Sequence, residues 1–105
     1  MIHHLLFFKL KPEVDEDGLA EMMRTSRSIL LKVPEIQSIR TGRATDPGSE
    51  WPFYISLEFE SLEKKRIYED DAMYLKFQKV VVDRMTLASY HIDYETDPTK
   101  ELKYS

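Results

Sequence analysis

Three side chains in this sequence have the chemistry to move a proton beside a carbonyl group: His4, Tyr68 and Tyr74. An imidazole titrates near neutral pH and can take up or release a proton there, and a phenol can donate a hydrogen bond to a developing oxyanion. His4 shares one face of an extended segment with Leu6 and Phe8, because side chains alternate along a strand. Tyr68 and Tyr74 flank Asp70-Asp71, a helix break that can turn both rings inward. Each has a plainer reading. His4 also fits a buried histidine satisfied by one hydrogen bond, and the tyrosines fit packing rings with wet hydroxyls. Asp71 between them is either an acid–base group or, more simply, the N-cap of the next helix.

A second constellation is the row His91, Asp93 and Glu95 on one strand face, with His3 expected on a neighbouring strand in the same orientation. Such nitrogen and oxygen donors can hold a divalent cation, but polar residues along a barrel interior or dimer seam have the same spacing, so no metal is assigned. The three glycines, Gly18, Gly42 and Gly48, are too scattered for a phosphate loop, and neither a nucleophile elbow nor a paired-histidine metal motif is present. No cofactor is expected.

The elements that must position these groups follow from periodicity. Residues 3–10, His-His-Leu-Leu-Phe-Phe-Lys-Leu, form a strand that is apolar on both faces and so needs cover on both. Pro12 breaks it. Asp15 caps a helix over about 15–32, in which Leu19, Met22, Met23, Ser26, Leu30 and Val33 recur at helical spacing, and Pro34 ends it. A weak, edge-like strand is expected over 36–44, where Ile36 and Ile39 need a bulge to share a face. A turn-rich loop over 45–50 leads to a strongly alternating strand on Phe53, Ile55, Leu57 and Phe59. Ser61 caps a helical region to about Tyr68, and a fresh helix from Ala72 carries Met73, Phe77, Val80 and Val81. A last strand spans 89–95, before a polar tail.

The order strand, helix, strand, strand, helix, strand is the split βαβ pattern of an α+β, ferredoxin-like fold. Its four-stranded antiparallel sheet carries both helices on one face, with the first and third strands central. One domain over 1–97 and a tail over 98–105 are expected. The second sheet face, with Leu5 and Phe7, calls for cover by another copy of the chain, a homodimer through open sheet faces. Net charge is −4 with no basic block, which argues against nucleic acid and anionic membrane surfaces. There is no cysteine, hence neither disulfide nor thiol chemistry. No apolar run approaches a membrane span of roughly 20 residues, and a cytoplasmic location is the default expectation.

From Ile2 to about Asp97 the chain resembles the stress-responsive dimeric α/β-barrel (Dabb) family. The resemblance rests on His4 to Lys9, on Pro34-Glu35-Ile36 entering the second strand, and on Gly42 at its end. Phe59-Glu60-Ser61, Tyr68 before a helix break, and Ile92-Asp93-Tyr94 complete it. It implies a homodimer whose two sheets close into a barrel, and a pocket between sheet and helices that takes a small apolar or aromatic molecule. Leu6, Phe8, Phe53, Asp71 and Met73 would line that pocket, with His4, Tyr68 and Tyr74 as its polar groups. In a plant polyketide cyclase of the family such a pocket holds a catalytic histidine and a nearby tyrosine. The family's motif of tyrosine, two residues, histidine, proline, any residue, histidine reads here Tyr68-Glu69-Asp70-Asp71-Ala72-Met73-Tyr74, so Asp71 and Tyr74 stand where the histidines would be. A polyketide-cyclase-like lyase, a cofactor-free oxygenase and a non-catalytic stress-related dimer remain open on the same fold.

Overall fold

The structure, a computed structural model, describes residues 1–96; the expected tail lies outside them. β1 (Ile2–Leu10), α1 (Glu16–Leu30), β2 (Ser38–Arg43), β3 (Phe53–Phe59), α2 (Leu62–Glu69) and α3 (Ala72–Phe77) follow in order. A π-helical turn (Gln78–Val82) then runs into a final helical turn, α4 (Asp83–Met85), and β4 (Thr86–Glu95) closes the sheet. The antiparallel sheet has the order β2-β3-β1-β4, so the two most apolar strands are central, as their composition requires.

Strict alternation sets the core. Ile2, His4, Leu6 and Phe8 of β1 are buried beside Phe53, Ile55, Leu57 and Phe59 of β3, in a register that pairs Ile2 with Phe59 and Phe8 with Phe53. Leu19, Met22, Ser26, Ile29 and Leu30 of α1, with Tyr68, Phe77 and Val81, cover that face. Each fully buried Leu or Phe contributes roughly 1.5–3 kcal/mol. The helices start where side chains satisfy their free N–H groups: Asp15 accepts from Gly18 N, Ser61 from Lys64 N and Asp71 from Met73 N.

The other sheet face carries the half-buried Leu5, Phe7, Tyr54 and Ile92 together with Tyr90 and Tyr94, which are 52% and 55% exposed. Phe7 centres an aromatic group, 6.0 Å from Tyr54 and 6.3 Å from Tyr90, while Trp51 lies 6.2 Å from Tyr90 and carries the Lys9 ammonium 5.1 Å above its ring.

Several boundaries differ from the sequence reading. Ile36 lies in the turn after α1, its N–H donating to the Val33 carbonyl, and β2 begins at Ser38. β2 pairs with β3 in unbroken register, so no bulge is needed there; the irregularity falls between Lys9 and Leu10, opposite β4. β4 begins at Thr86 rather than Ser89, because Leu10 and Lys9 extend the ladder to Thr86 and Ala88. His3 pairs with Tyr94, which places it on the face opposite His91 and Asp93.

Ser26 sits fully buried in α1, its hydroxyl without a partner among the described residues. Ser26→Ala removes an unsatisfied group and should leave stability unchanged or raise it by about 1 kcal/mol. Phe59→Ala should lose about 3–5 kcal/mol. Urea midpoints measure both, and a clear loss in the serine variant would mean that its hydroxyl has a partner.

Candidate functional site

His4 opens the site because register gives it two neighbours of different kinds. On one side it pairs with Leu57 of β3, on the other with Asp93 of β4. Directly paired residues point the same way, so the Asp93 carboxylate meets the imidazole, and His4 Nδ1 lies 2.6 Å from Asp93 Oδ1. The second carboxylate oxygen accepts a hydrogen bond of 2.7 Å from Lys65 Nζ, which reaches down from α2. An ionised carboxylate only accepts, so Nδ1 carries the imidazole proton and Nε2 presents the lone pair.

Burial shapes the charge state. His4 is 4% exposed. Burial pushes its pKa below the ordinary 6.5 and outweighs the upward pull of the Asp93 hydrogen bond and charge, with Lys65 and His91 adding to the fall. Burial alone would raise the Asp93 carboxyl, but Lys65 and His4 together hold it below its ordinary value. At neutral pH the set is therefore neutral imidazole, carboxylate and ammonium, with His4 able to accept a proton at Nε2.

The tyrosines come from the elbow between α2 and α3. Asp70 and Asp71 end α2 by bonding back to the Ile67 and Tyr68 carbonyls, and the Asp71 side chain then caps α3. This brings the Tyr68 and Tyr74 rings to 4.7 Å, with Tyr68 also 5.0 Å from Phe59 and 6.2 Å from His4. His91 stands edge-on to His4 at 5.6 Å. Tyr68 is fully buried, and its hydroxyl has no hydrogen-bond partner among the described residues. Burial first, then the charges of Tyr74 and Glu69, push its ionisation far above the ordinary phenol range, so it acts only as a donor or acceptor of hydrogen bonds. Burial and Glu69 also raise Tyr74, against smaller opposing effects of Gln78 and Lys65.

The structure thus brings His4, Tyr68 and Tyr74 into one cluster. Asp71 is spent on its cap. Leu6, Phe8 and Phe53 are 0–1% exposed, with Phe8 stacked on Phe53 at 5.4 Å, and Met73 packs half-buried against the same core. Hollows of about 360 and 230 Å³ lie between α1 and the α3–α4 run, and one of about 340 Å³ lies beside Trp51 on the open sheet face; none of these three is lined by His4, Tyr68 or Tyr74. Among the described residues no group of three His, Asp or Glu side chains is placed to hold a metal ion. Sequence reasoning missed Lys65. Its signal was its position three residues before Tyr68, on the same helix face.

The family model described as the stress responsive A/B barrel domain matches residues 2–96. Among solved structures, the chain is similar to a Dabb family protein with a ferredoxin-like fold from Mesorhizobium loti, at 20% identity and TM-score 0.79, covering 90% of this chain and 95% of that one. A dimeric ferredoxin-like protein of unknown function from Bacteroides fragilis matches at 21% identity and TM-score 0.73, with the same two coverages. Hydroxynitrile lyase from Passiflora edulis matches at 14% identity and TM-score 0.76, covering 95% and 96%. A search of curated proteins finds no significant match. No helix of the described residues is long and apolar enough to cross a membrane.

Lys65→Met should raise the His4 titration midpoint, because the imidazolium loses a repelling neighbour and faces an Asp93 carboxylate that no longer shares its charge. Imidazole shifts followed by NMR against pH read this directly, and an unchanged or lower midpoint would refute the coupling. Because His4 and His91 bind protons less readily in the folded chain than at the ordinary 6.5, the unfolded chain takes up more protons as pH falls through that value. Urea stability should therefore be highest above it and fall below it.

Proposed function

The chain belongs to the stress responsive A/B barrel family, and we propose that it acts as a homodimer that binds a small apolar or aromatic carbonyl compound between the sheet and the α2–α3 elbow. In this reading His4 Nε2 accepts a proton from the carbon beside the carbonyl, while Tyr68 and Tyr74 donate hydrogen bonds to the oxygen that gains charge. The observation that carries the proposal is the Tyr68 hydroxyl, buried without a partner beside an imidazole whose other nitrogen Asp93 fixes. An unsatisfied buried hydroxyl costs about 1–3 kcal/mol, a cost that a ligand oxygen would remove. Leu6, Phe8, Phe53 and Met73 would hold the apolar body. Since they are closely packed, the ligand enters by displacing the elbow, with Met73 and Tyr74 as its half-buried outer residues.

A hydroxynitrile lyase shares the fold, so an enzyme site can be built on it. Support for the dimer comes from the apolar open face and from a similar protein described as dimeric. Close packing around Phe8 and Phe53 favours a second reading, a non-catalytic dimer whose working surface is its sheet seam.

The test is proton exchange from aromatic ketones and 1,3-diketones in deuterated water, followed by NMR. Protein-dependent exchange should vanish in His4→Ala and fall about tenfold or more in Tyr68→Phe. Tyr68→Phe should meanwhile be no less stable than the parent, because it removes an orphan hydroxyl. Absence of exchange across the panel, or unchanged exchange in both variants, would leave the second reading. Leu5→Asp or Phe7→Asp should weaken self-association in sedimentation by placing a charge in a dry seam. Wild-type sedimentation of both would place the seam elsewhere.

A further inference from the structure

The outer side of the helical layer carries a trough that the candidate active site does not use. Its first half, about 360 Å³, lies between α1 and the start of the α3–α4 run and is lined by Arg24, Thr25, Ser28, Ile29, Lys76 and Val80. Its second half, about 230 Å³, shares Thr25 and Val80 and adds Met22, Val81, Met85, Glu21 and Arg84. The π turn supplies Val80 and Val81, and π turns inside helices are frequent at functional sites.

The two halves differ in chemistry. The first has two cations and two hydroxyls and no carboxylate among its lining side chains. The second has an apolar floor, with Arg84 offset by Glu21. In a chain of net charge −4, two cations meeting over one hollow run against the overall balance. Several cations elsewhere on the chain are already engaged. Lys9 pairs with Glu50, Arg43 with Glu16 and Lys65 with Asp93, and Arg27 donates to Thr41. Among the described residues Arg24 and Lys76 make no such bond.

We propose that this trough binds a small amphipathic organic anion, a phosphomonoester or a compound of like charge with a short aryl or aliphatic body. Arg24, Lys76 and the Thr25 and Ser28 hydroxyls would hold the anionic head, and the partly buried Val80 and Met85 the body. Guanidinium and ammonium groups form charge-assisted hydrogen bonds to phosphoryl oxygens. The apolar floor distinguishes such a ligand from a bare ion. The trough lies on the helical side of the sheet, so dimerisation through the open sheet face leaves it accessible.

Phenyl phosphate is the probe, titrated into the full-length protein at neutral pH and followed by amide NMR. Saturable shifts should centre on Thr25, Ser28, Lys76 and Val80. Arg24→Gln with Lys76→Gln, both exposed positions, should weaken binding about tenfold or more, while His4→Ala should leave it unchanged. Benzyl alcohol should not saturate the site, and inorganic phosphate should bind more weakly than phenyl phosphate. Unchanged affinity in the double variant would overturn the proposal, as would shifts centred on His4 or equal binding of inorganic phosphate. Because the site is separate from His4, these outcomes are independent of whether the protein exchanges protons on ketones.

Discussion

A central strand that is apolar on both faces constrains everything else in this molecule. β1 sits between β3 and β4, with Leu6 and Phe8 buried beneath the helices and Leu5 and Phe7 turned the other way. One chain has helical material for only one of those faces. The helices take the side of Leu6, where interior packing is closed around Phe8, Phe53 and Phe77. The aromatic group around Phe7 lies on the face that the helices leave uncovered, where Tyr90 and Tyr94 are 52% and 55% exposed; in the proposed dimer their rings, with polar edges, would suit a seam that is apolar at its centre and wet at its rim.

The same constraint sets the chemistry of His4. A histidine in the buried row of a central strand has no water to solvate its charged form, and the only polar group that register allows beside it is on β4. Asp93 fills that role and Lys65 limits it. With a lone carboxylate, the imidazole would be drawn toward protonation. With the ammonium on the far oxygen, the carboxylate fixes the tautomer while much of its charge is already balanced. Two residues, Lys65 of α2 and Asp93 of β4, thus hold the His4 side chain of β1 in one orientation and one charge state. Because Lys65 and Tyr68 are neighbours on α2, the same contact also fixes the helix that carries the phenol over the imidazole.

Much of this was legible in the amino-acid order. Alternation at Phe53, Ile55, Leu57 and Phe59 gave the central strand, Asp15, Ser61 and Asp71 marked the helix starts, and the aspartates after Tyr68 marked the elbow. What could not be read was lateral register, since the facing of β1 and β4 depends on the path of more than 70 intervening residues. That is why the row His91, Asp93 and Glu95 was matched with His3, when parity places His4 opposite Asp93. It is also why the role of Lys65 was missed. Its partner lies 28 residues away and becomes visible only when α2 is docked. The weak pattern at Ile36 suggested a bulge because that residue was counted in a strand, whereas it ends the turn after α1.

The burial that makes the cluster also decides which way it can work. Tyr68 is too deeply buried to lose its proton, and His4 is too deeply buried to gain one readily before a substrate arrives. In the proposed reading the resting site therefore offers a base and a hydrogen-bond donor, both neutral. A bound carbonyl compound would give up its proton to His4 as its oxygen gains charge against Tyr68, so positive and negative charge would appear together within a few ångströms, in a medium that strengthens their attraction. Asp93 would then face an imidazolium, the one state in which its full charge is useful. A polar network that is poor at stabilising an isolated ion is thus suited to stabilising a pair formed in one step.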